Sequence, residues 1–174
     1  MKSIVLAGDY GYIRQIETTI KSLCCYHEDL LIYVFNQDIP QEWFINTRKK
    51  VKGTGNNLLD IKLLRDDLRM KWEESTYSHI NYMAYARYFI PEYVTADRAL
   101  YLDCDLVVTQ NLDHLFDLHL EGSYIAAVRA TFGLGIGFNS GVMLLNNKRW
   151  REENISQQLV ELTDREIERV LEGD

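Results

Sequence analysis

Two aspartates, Asp103 and Asp105, interrupt the most hydrophobic run of the chain, ALYLDCDLVV. A carboxylate left unpaired in such surroundings is costly, so a compensating charge has to lie close by. In extended chain, residues i and i+2 project to the same side. That geometry predicts that Asp103 and Asp105 converge while Cys104 points into the core. Two hard oxygen donors on one face suit Mn²⁺ or Mg²⁺, which keep positions open for substrate phosphate oxygens. The purely structural alternative has one aspartate capping the following turn and the other pairing with an arginine such as Arg98 or Arg129.

A second chemical reading uses the same residues. D-x-D-L-V-V after an apolar strand also resembles the first motif of haloacid-dehalogenase-type phosphatases, in which the first aspartate is a nucleophile and the second a general acid. Position weighs against it, because that motif opens its fold near the N-terminus and needs a downstream lysine and a further acidic pair. Here Asp103 lies well inside the chain, and Lys148 is the one lysine after it.

Downstream, Gly133, Gly135, Gly137 and Gly141 bracket Phe138-Asn139-Ser140. That density permits close backbone approach to a ligand. No helix evidently follows G-L-G-I-G-F, so a dinucleotide fingerprint is a poor reading. Asn139 has the chemistry to bond a sugar hydroxyl or to satisfy its own loop.

These residues need a scaffold, and the sequence outlines an α/β one. Ser3 to Ala7 reads as a strand ending in Gly8-Asp9-Tyr10-Gly11-Tyr12, and Ile13, Ile16, Ile20 and Leu23 follow at helical spacing. Leu30 to Phe35 is a second strand, Trp43 to Val51 a second helix, and Leu58 to Leu64 a third strand. Ser78 to Phe89 is helix-compatible and is expected to stop at Pro91. Ala99 to Leu102, Ile125 to Val128 and Val142 to Leu145 are further strands, and Arg149 to Leu171 is charged and amphipathic in the manner of a helix, with Leu159, Val160, Ile167, Val170 and Leu171 as its apolar side. Strands alternating with helices predict a largely parallel sheet that gathers ligands at the carboxyl ends of its strands.

Composition narrows the partners. With 19 Lys and Arg against 26 Asp and Glu, the formal charge is -7, so the surface as a whole repels nucleic acid and anionic lipid. A bound cation is the usual means by which an acidic protein holds a phosphate. A chain of 174 residues, 47% hydrophobic, fits one domain with a sizeable core. The three cysteines, Cys24, Cys25 and Cys104, form no C-x-x-C pair, which suggests a reduced, cytoplasmic protein. No stretch approaches the roughly 20 apolar residues needed to span a bilayer.

Together these segments resemble the bacterial branch of glycosyltransferase family 8, which includes lipooligosaccharide galactosyltransferases and glycogenin-type enzymes. The resemblance runs along the whole chain: Ala7-Gly8-Asp9 with Tyr12, Tyr85-Ala86-Arg87 ahead of Ile90-Pro91, LYLDCDLVV, FNSGVMLLN, and Lys148-x-Trp150. It implies a GT-A (Rossmann-like) α/β fold and a retaining transfer of glucose or galactose from a UDP-sugar to a glycan or glycoconjugate acceptor, with Mn²⁺ or Mg²⁺. By the same resemblance Ala7, Asp9 and Tyr12 line the uridine pocket, Asp9 accepting from base or ribose and Tyr12 stacking on uracil. Arg87 reaches the donor beside its diphosphate. Asp103 and Asp105 hold the metal, Cys104 is among the donor-lining positions, and Asn139, Ser140 and Gly141 border the donor sugar and the acceptor. Asp103, Asn139 and Asp174 carry the catalytic expectations, Asp174 as the first residue of the family's Asp-Gln motif.

The sequence departs from the family pattern in three places. Gly11 stands where many members have asparagine, and Met83-Ala84 replaces a position that is often threonine. Residues 1–174 then read as a single catalytic domain lacking its C-terminal part, where the family has a metal-binding histidine. Peripheral attachment at the inner face of the membrane would belong to that missing part. An inactive UDP-sugar-binding fragment is the remaining alternative.

Overall fold

The computed structural model describes residues 1–63, 82–132 and 135–166. Asp174, Gly133 and the distal apolar positions Ile167, Val170 and Leu171 lie outside the described residues. The six strands are β1 (Lys2–Ala7), β2 (Leu30–Asn36), β3 (Asn57–Lys62), β4 (Arg98–Leu102), β5 (Ile125–Phe132) and β6 (Gly135–Asn146), in the sheet order β3-β2-β1-β4-β6-β5. β1 pairs in parallel with β2 and with β4, β2 pairs in parallel with β3, and β6 pairs antiparallel with both β4 and β5. β6 therefore runs against the other five.

Both faces of this sheet are covered, which is why β1, β2 and β4 read as nearly unbroken apolar runs instead of alternating ones. Ile4, Leu6, Ile32, Val34, Leu100, Leu102 and Leu144 form one core with α1 (Ile13–Tyr26) and α2 (Gln41–Lys52). Val5, Ala7, Tyr33, Phe35, Ala99, Tyr101, Met143 and Leu145 form the other. That second face is covered by a 3₁₀ segment (Tyr82–Phe89) and by α3 (Ile90–Tyr93), α5 (Asn147–Glu152) and α6 (Ile155–Arg165). α4 (Asp113–Phe116) packs at the amino end of β4 through the bond from Arg98 to the Phe116 carbonyl.

Three expectations about local structure are corrected. Pro91 does not end a helix: it sits in the first turn of α3, where a missing N–H costs nothing and a fixed φ suits the helix. The described part of the segment before it, Tyr82–Phe89, is 3₁₀. The stretch from Arg149 is two helices broken at Asn154, which takes the left-handed conformation (φ 52°) that asparagine tolerates better than most residues.

The chain runs outward from β1 to β2 and β3, then crosses back to β4 on the other side of β1. That reversal opens a crevice at the carboxyl ends of β1 and β4, the place where open α/β sheets bind ligands. Beside it, the β5–β6 pair loses register: Ala127 faces Met143 but Val128 faces Asn139, leaving Ser140, Gly141 and Val142 without counterparts in β5. β4 follows β6 only as far as the Leu102 and Val142 pair. Past that point β5 and β6 continue as a two-stranded arm with Val128 and Phe138 exposed.

Candidate functional site

β1 delivers Ala7, Gly8 and Asp9 to the crevice, and β4 delivers Asp103. Ala7 is buried in the core on the 3₁₀ side. Asp9 closes a short 3₁₀ turn (Tyr10–Tyr12) by accepting from the Gly11 amide at 2.8 Å. A neighbouring tie runs across the sheet end, where the Tyr10 amide donates to Asp38 Oδ1 at 2.8 Å. Tyr12 follows as the half-buried N-cap residue of α1, packed against that helix's core. A Cβ at Gly8 would lie 3.1 Å from Ile16, 3.4 Å from Tyr12 and 3.5 Å from the Cys104 sulfur, so β1 and the β4 end approach closely here.

Asp103 is held from three directions. The Tyr101 hydroxyl donates to Asp103 Oδ1 at 2.8 Å. Arg87 Nη2 lies 3.9 Å from the same oxygen, and its guanidinium carbon sits 4.8 Å from the centre of the Tyr101 ring. The arginine is itself fixed, Nε donating to the Ala84 carbonyl at 2.8 Å and Nη1 to the Ser140 carbonyl at 3.2 Å. On the third side is Gly141: the Asp103 amide donates to its carbonyl at 2.8 Å, and a Cβ there would stand 2.6 Å from Asp103 Oδ2. Glycine at 141 is what lets the carboxylate pack this closely. Asn139 Oδ1 accepts from the Gly141 amide at 3.0 Å and so shapes the unmatched Ser140-Gly141-Val142 stretch.

Burial raises the pKa of the Tyr101 phenol, so it stays protonated and serves as a donor. Cys104 is buried in the α1 core as expected, and its thiol is pushed up to about 12, first by burial and then by the charges of Asp105 and Asp103. That thiol is inert packing, not a nucleophile.

The extended backbone expected from Asp103 to Asp105 is not what forms. β4 ends at Leu102, and the chain turns through Cys104 and Asp105 instead of staying extended. The buried Thr19 hydroxyl of α1 lies 2.7 Å from the carbonyls of both Cys104 and Leu106, drawing this turn over the helix. Asp105 is consequently exposed, lining a shallow cleft with Gly11, Arg14, Gln15 and Thr18. Asp103 and Asp105 both lie just past the carboxyl end of β4. Among the described residues, no three His, Cys, Asp or Glu side chains cluster as a metal site.

Arg98 bonds the carbonyls of Phe116 and Leu118, and among the described residues the arginine paired with Asp103 is Arg87. The site also includes two residues that motif reading passed over. Tyr101 was readable from the rule applied to the aspartates, since it stands two residues before Asp103 on a strand. Thr19 carried no local signal.

A family model for glycosyl transferase family 8 matches residues 3–173. The chain belongs to glycosyl transferase family 8. Glycosyltransferase GlyE of Streptococcus pneumoniae is 53% identical over 173 residues, covering 99% of this chain and 42% of that protein. Glycosyltransferase GlyD of the same species is 45% identical and covers 99% of this chain and 21% of its own length. The crystal structure of GlyE superposes with a TM-score of 0.82, covering 98% of this chain and 40% of that one. The galactosyltransferase LgtC, solved with donor and acceptor sugar analogues, superposes at 0.81 with 25% identity, covering 94% of this chain and 64% of that one. The chain therefore spans about two fifths of GlyE and has the GT-A fold. Family 8 membership leaves the phosphatase reading of D-x-D behind. Among the described residues, no helix is long and apolar enough to cross a membrane.

Proposed function

We propose that this chain carries the donor site of a retaining, metal-dependent hexosyltransferase that moves glucose or galactose from a UDP-sugar to a glycan or glycoconjugate acceptor. The observation that carries the reading is Asp103 at the switch-point crevice, with one oxygen tied to Tyr101 and the other packed against Gly141. LgtC, with its donor and acceptor analogues, supports the substrate classes by similarity.

The donor chemistry fits a divalent cation, since both candidate ligands are hard carboxylates just past the end of β4. Asp103 and Asp105 would hold it, and what Mn²⁺ or Mg²⁺ supplies there is neutralisation of charge on the departing diphosphate. Arg87, oriented by the Ala84 and Ser140 carbonyls, adds a fixed positive charge on the same side. Asn139 spends Oδ1 on Gly141 and offers its NH₂ group to a hexose hydroxyl. Asp9 and Tyr12, at the β1 end, take the uridine. Retention follows from attack by the acceptor on the face the diphosphate leaves, a phosphate oxygen taking the acceptor proton; trapping a covalent glycosyl-enzyme would sink that route.

The test is calorimetric titration of UDP with Mn²⁺ and with EDTA, on the wild type, Asp103→Asn and Asp105→Asn. Metal-dependent binding lost in either variant is the expected result. Folded wild-type protein that binds no UDP would overturn the reading, and UDP binding without turnover of any UDP-sugar would make this chain a sugar-nucleotide-binding module.

A further inference from the structure

We infer that Asp38 is a positioning residue for the nucleotide: it holds the Asp9–Tyr12 turn in the shape that receives uridine, an inference resting on the donor-site reading above. The last rung between β1 and β2 is the Gly8 amide on the Phe35 carbonyl at 3.1 Å. Past it both chains leave the sheet. Within the turn, the Gly11 amide goes to Asp9 Oδ1 at 2.8 Å and the Tyr12 amide to the Asp9 carbonyl at 3.1 Å. The Tyr10 amide opens the turn and so has no acceptor inside it. Asp38 Oδ1 takes that amide at 2.8 Å from the end of the neighbouring strand.

Asp38 is itself placed by a buried polar network. Asn36, fully buried at the end of β2, accepts on Oδ1 from the Ile39 amide at 3.2 Å and from the Lys62 ammonium, and donates from its NH₂ group to Asp60 Oδ1 at 2.8 Å. Lys62 also donates to the Ile39 carbonyl. Asn36 and Lys62 thus clamp both backbone groups of Ile39, whose side chain lies in the core with α1 and α2. Asp38 stands between these fixed neighbours with its own side chain at the surface.

The turn buries little of itself, since Tyr10 is 60% exposed and Gly11 has no side chain. Its shape therefore depends on hydrogen bonds, and Asp38 supplies one from outside the turn. That bond is exposed, so its loss is felt in the turn and not in the core. A loop ordered in advance spares the ligand the entropy of ordering it. Asp38 thus strengthens uridine binding without touching the nucleotide.

Calorimetric titration of UDP and of UMP, each with Mn²⁺, into the wild type, Asp38→Asn and Asp38→Ala tests this, with Mn²⁺ and inorganic pyrophosphate probing the other end of the site. Both substitutions remove the charge, and only asparagine keeps an oxygen for the Tyr10 amide, so the pair isolates the hydrogen bond. The expected result is that Asp38→Ala binds UDP and UMP about five-fold more weakly than Asp38→Asn, the worth of one hydrogen bond. Pyrophosphate should bind the two variants alike, and both should unfold at the same urea concentration. A merely structural role would separate the urea midpoints or weaken pyrophosphate equally, and either result overturns the inference. UDP affinities that agree within about two-fold in the two variants also overturn it, while wild-type binding keeps the donor-site reading. Folded wild-type protein that binds neither UDP nor UMP overturns both.

Discussion

Gly141 faces Asp103 across the β4–β6 pair: the aspartate amide donates to the glycine carbonyl at 2.8 Å, and a Cβ on the glycine would come within 2.6 Å of Asp103 Oδ2. Gly141→Ala must therefore move the carboxylate or the backbone that carries it. Overpacking of this kind costs about 1–3 kcal/mol. Urea unfolding is expected to show that loss, and calorimetry a fall in metal-dependent UDP affinity on the order of ten-fold. Unchanged affinity would mean that Oδ2 is not the oxygen the ligand needs.

Arg87 spans two carbonyls and an aromatic face, which the single ammonium of lysine cannot do. Arg87→Lys keeps the charge yet is expected to weaken UDP binding about ten-fold, as for the loss of one charge-assisted hydrogen bond. Full affinity in the lysine variant would show that charge alone suffices.

Thr19 tells how the Asp105 turn is held. Replacing it with valine leaves two carbonyls without their shared donor, at a cost of about 1–3 kcal/mol where they are buried. Thr19→Ser, which keeps the hydroxyl, should unfold at nearly the wild-type urea concentration, and Thr19→Val at a lower one. Equal midpoints would assign the position to packing alone.

His27 gives the fold a pH dependence of known sign. Its Nε2 accepts from the Leu112 amide at 3.1 Å, and burial, against the opposing pull of Asp113, lowers its pKa from the ordinary 6.5. A histidine kept neutral in the fold contributes stability that is whole above pH 6.5 and is lost as the pH falls below that value toward the lowered one. The urea midpoint should drop between pH 6.5 and pH 5, roughly the window set by ordinary histidine titration. His27→Gln, an acceptor that does not titrate, should flatten the drop. Asp113, lowered first by its bond to Lys2, loses its share of stability only nearer its ordinary 3.8 and below.

The parts of this fold that announce themselves are those whose burial is local and periodic. β1, β2 and β4 are continuous apolar runs, and α1 shows Ile16, Ile20 and Leu23 on one face. Residues 135–139 of β6 are different: they have the glycine content of a loop and become strand because β5 supplies the hydrogen bonds. The break at Asn154 is equally quiet, since polar residues continue across it. At the site, Arg87, Asp103 and Gly141 were anticipated by motif, and Tyr101 lay within reach of the two-residue strand period. The placement of Asp105 was not legible, because the strand period lapses at Leu102 and the turn is drawn over by a threonine 85 residues away in sequence.

The two-stranded arm beyond the Leu102 and Val142 pair makes one wall of the crevice from the least supported part of the sheet. A pair of strands with no third neighbour among the described residues is marginal alone, and such pieces open at free energies well below that of the whole fold. In deuterium exchange, the amides of Arg129 and Phe138 are expected to label early and those of Leu100 and Leu144 late. An occupied crevice then has something to fasten: the same ligand that leaves the central amides unchanged should slow exchange in the arm, so that recognition is felt there as a tightening of the fold.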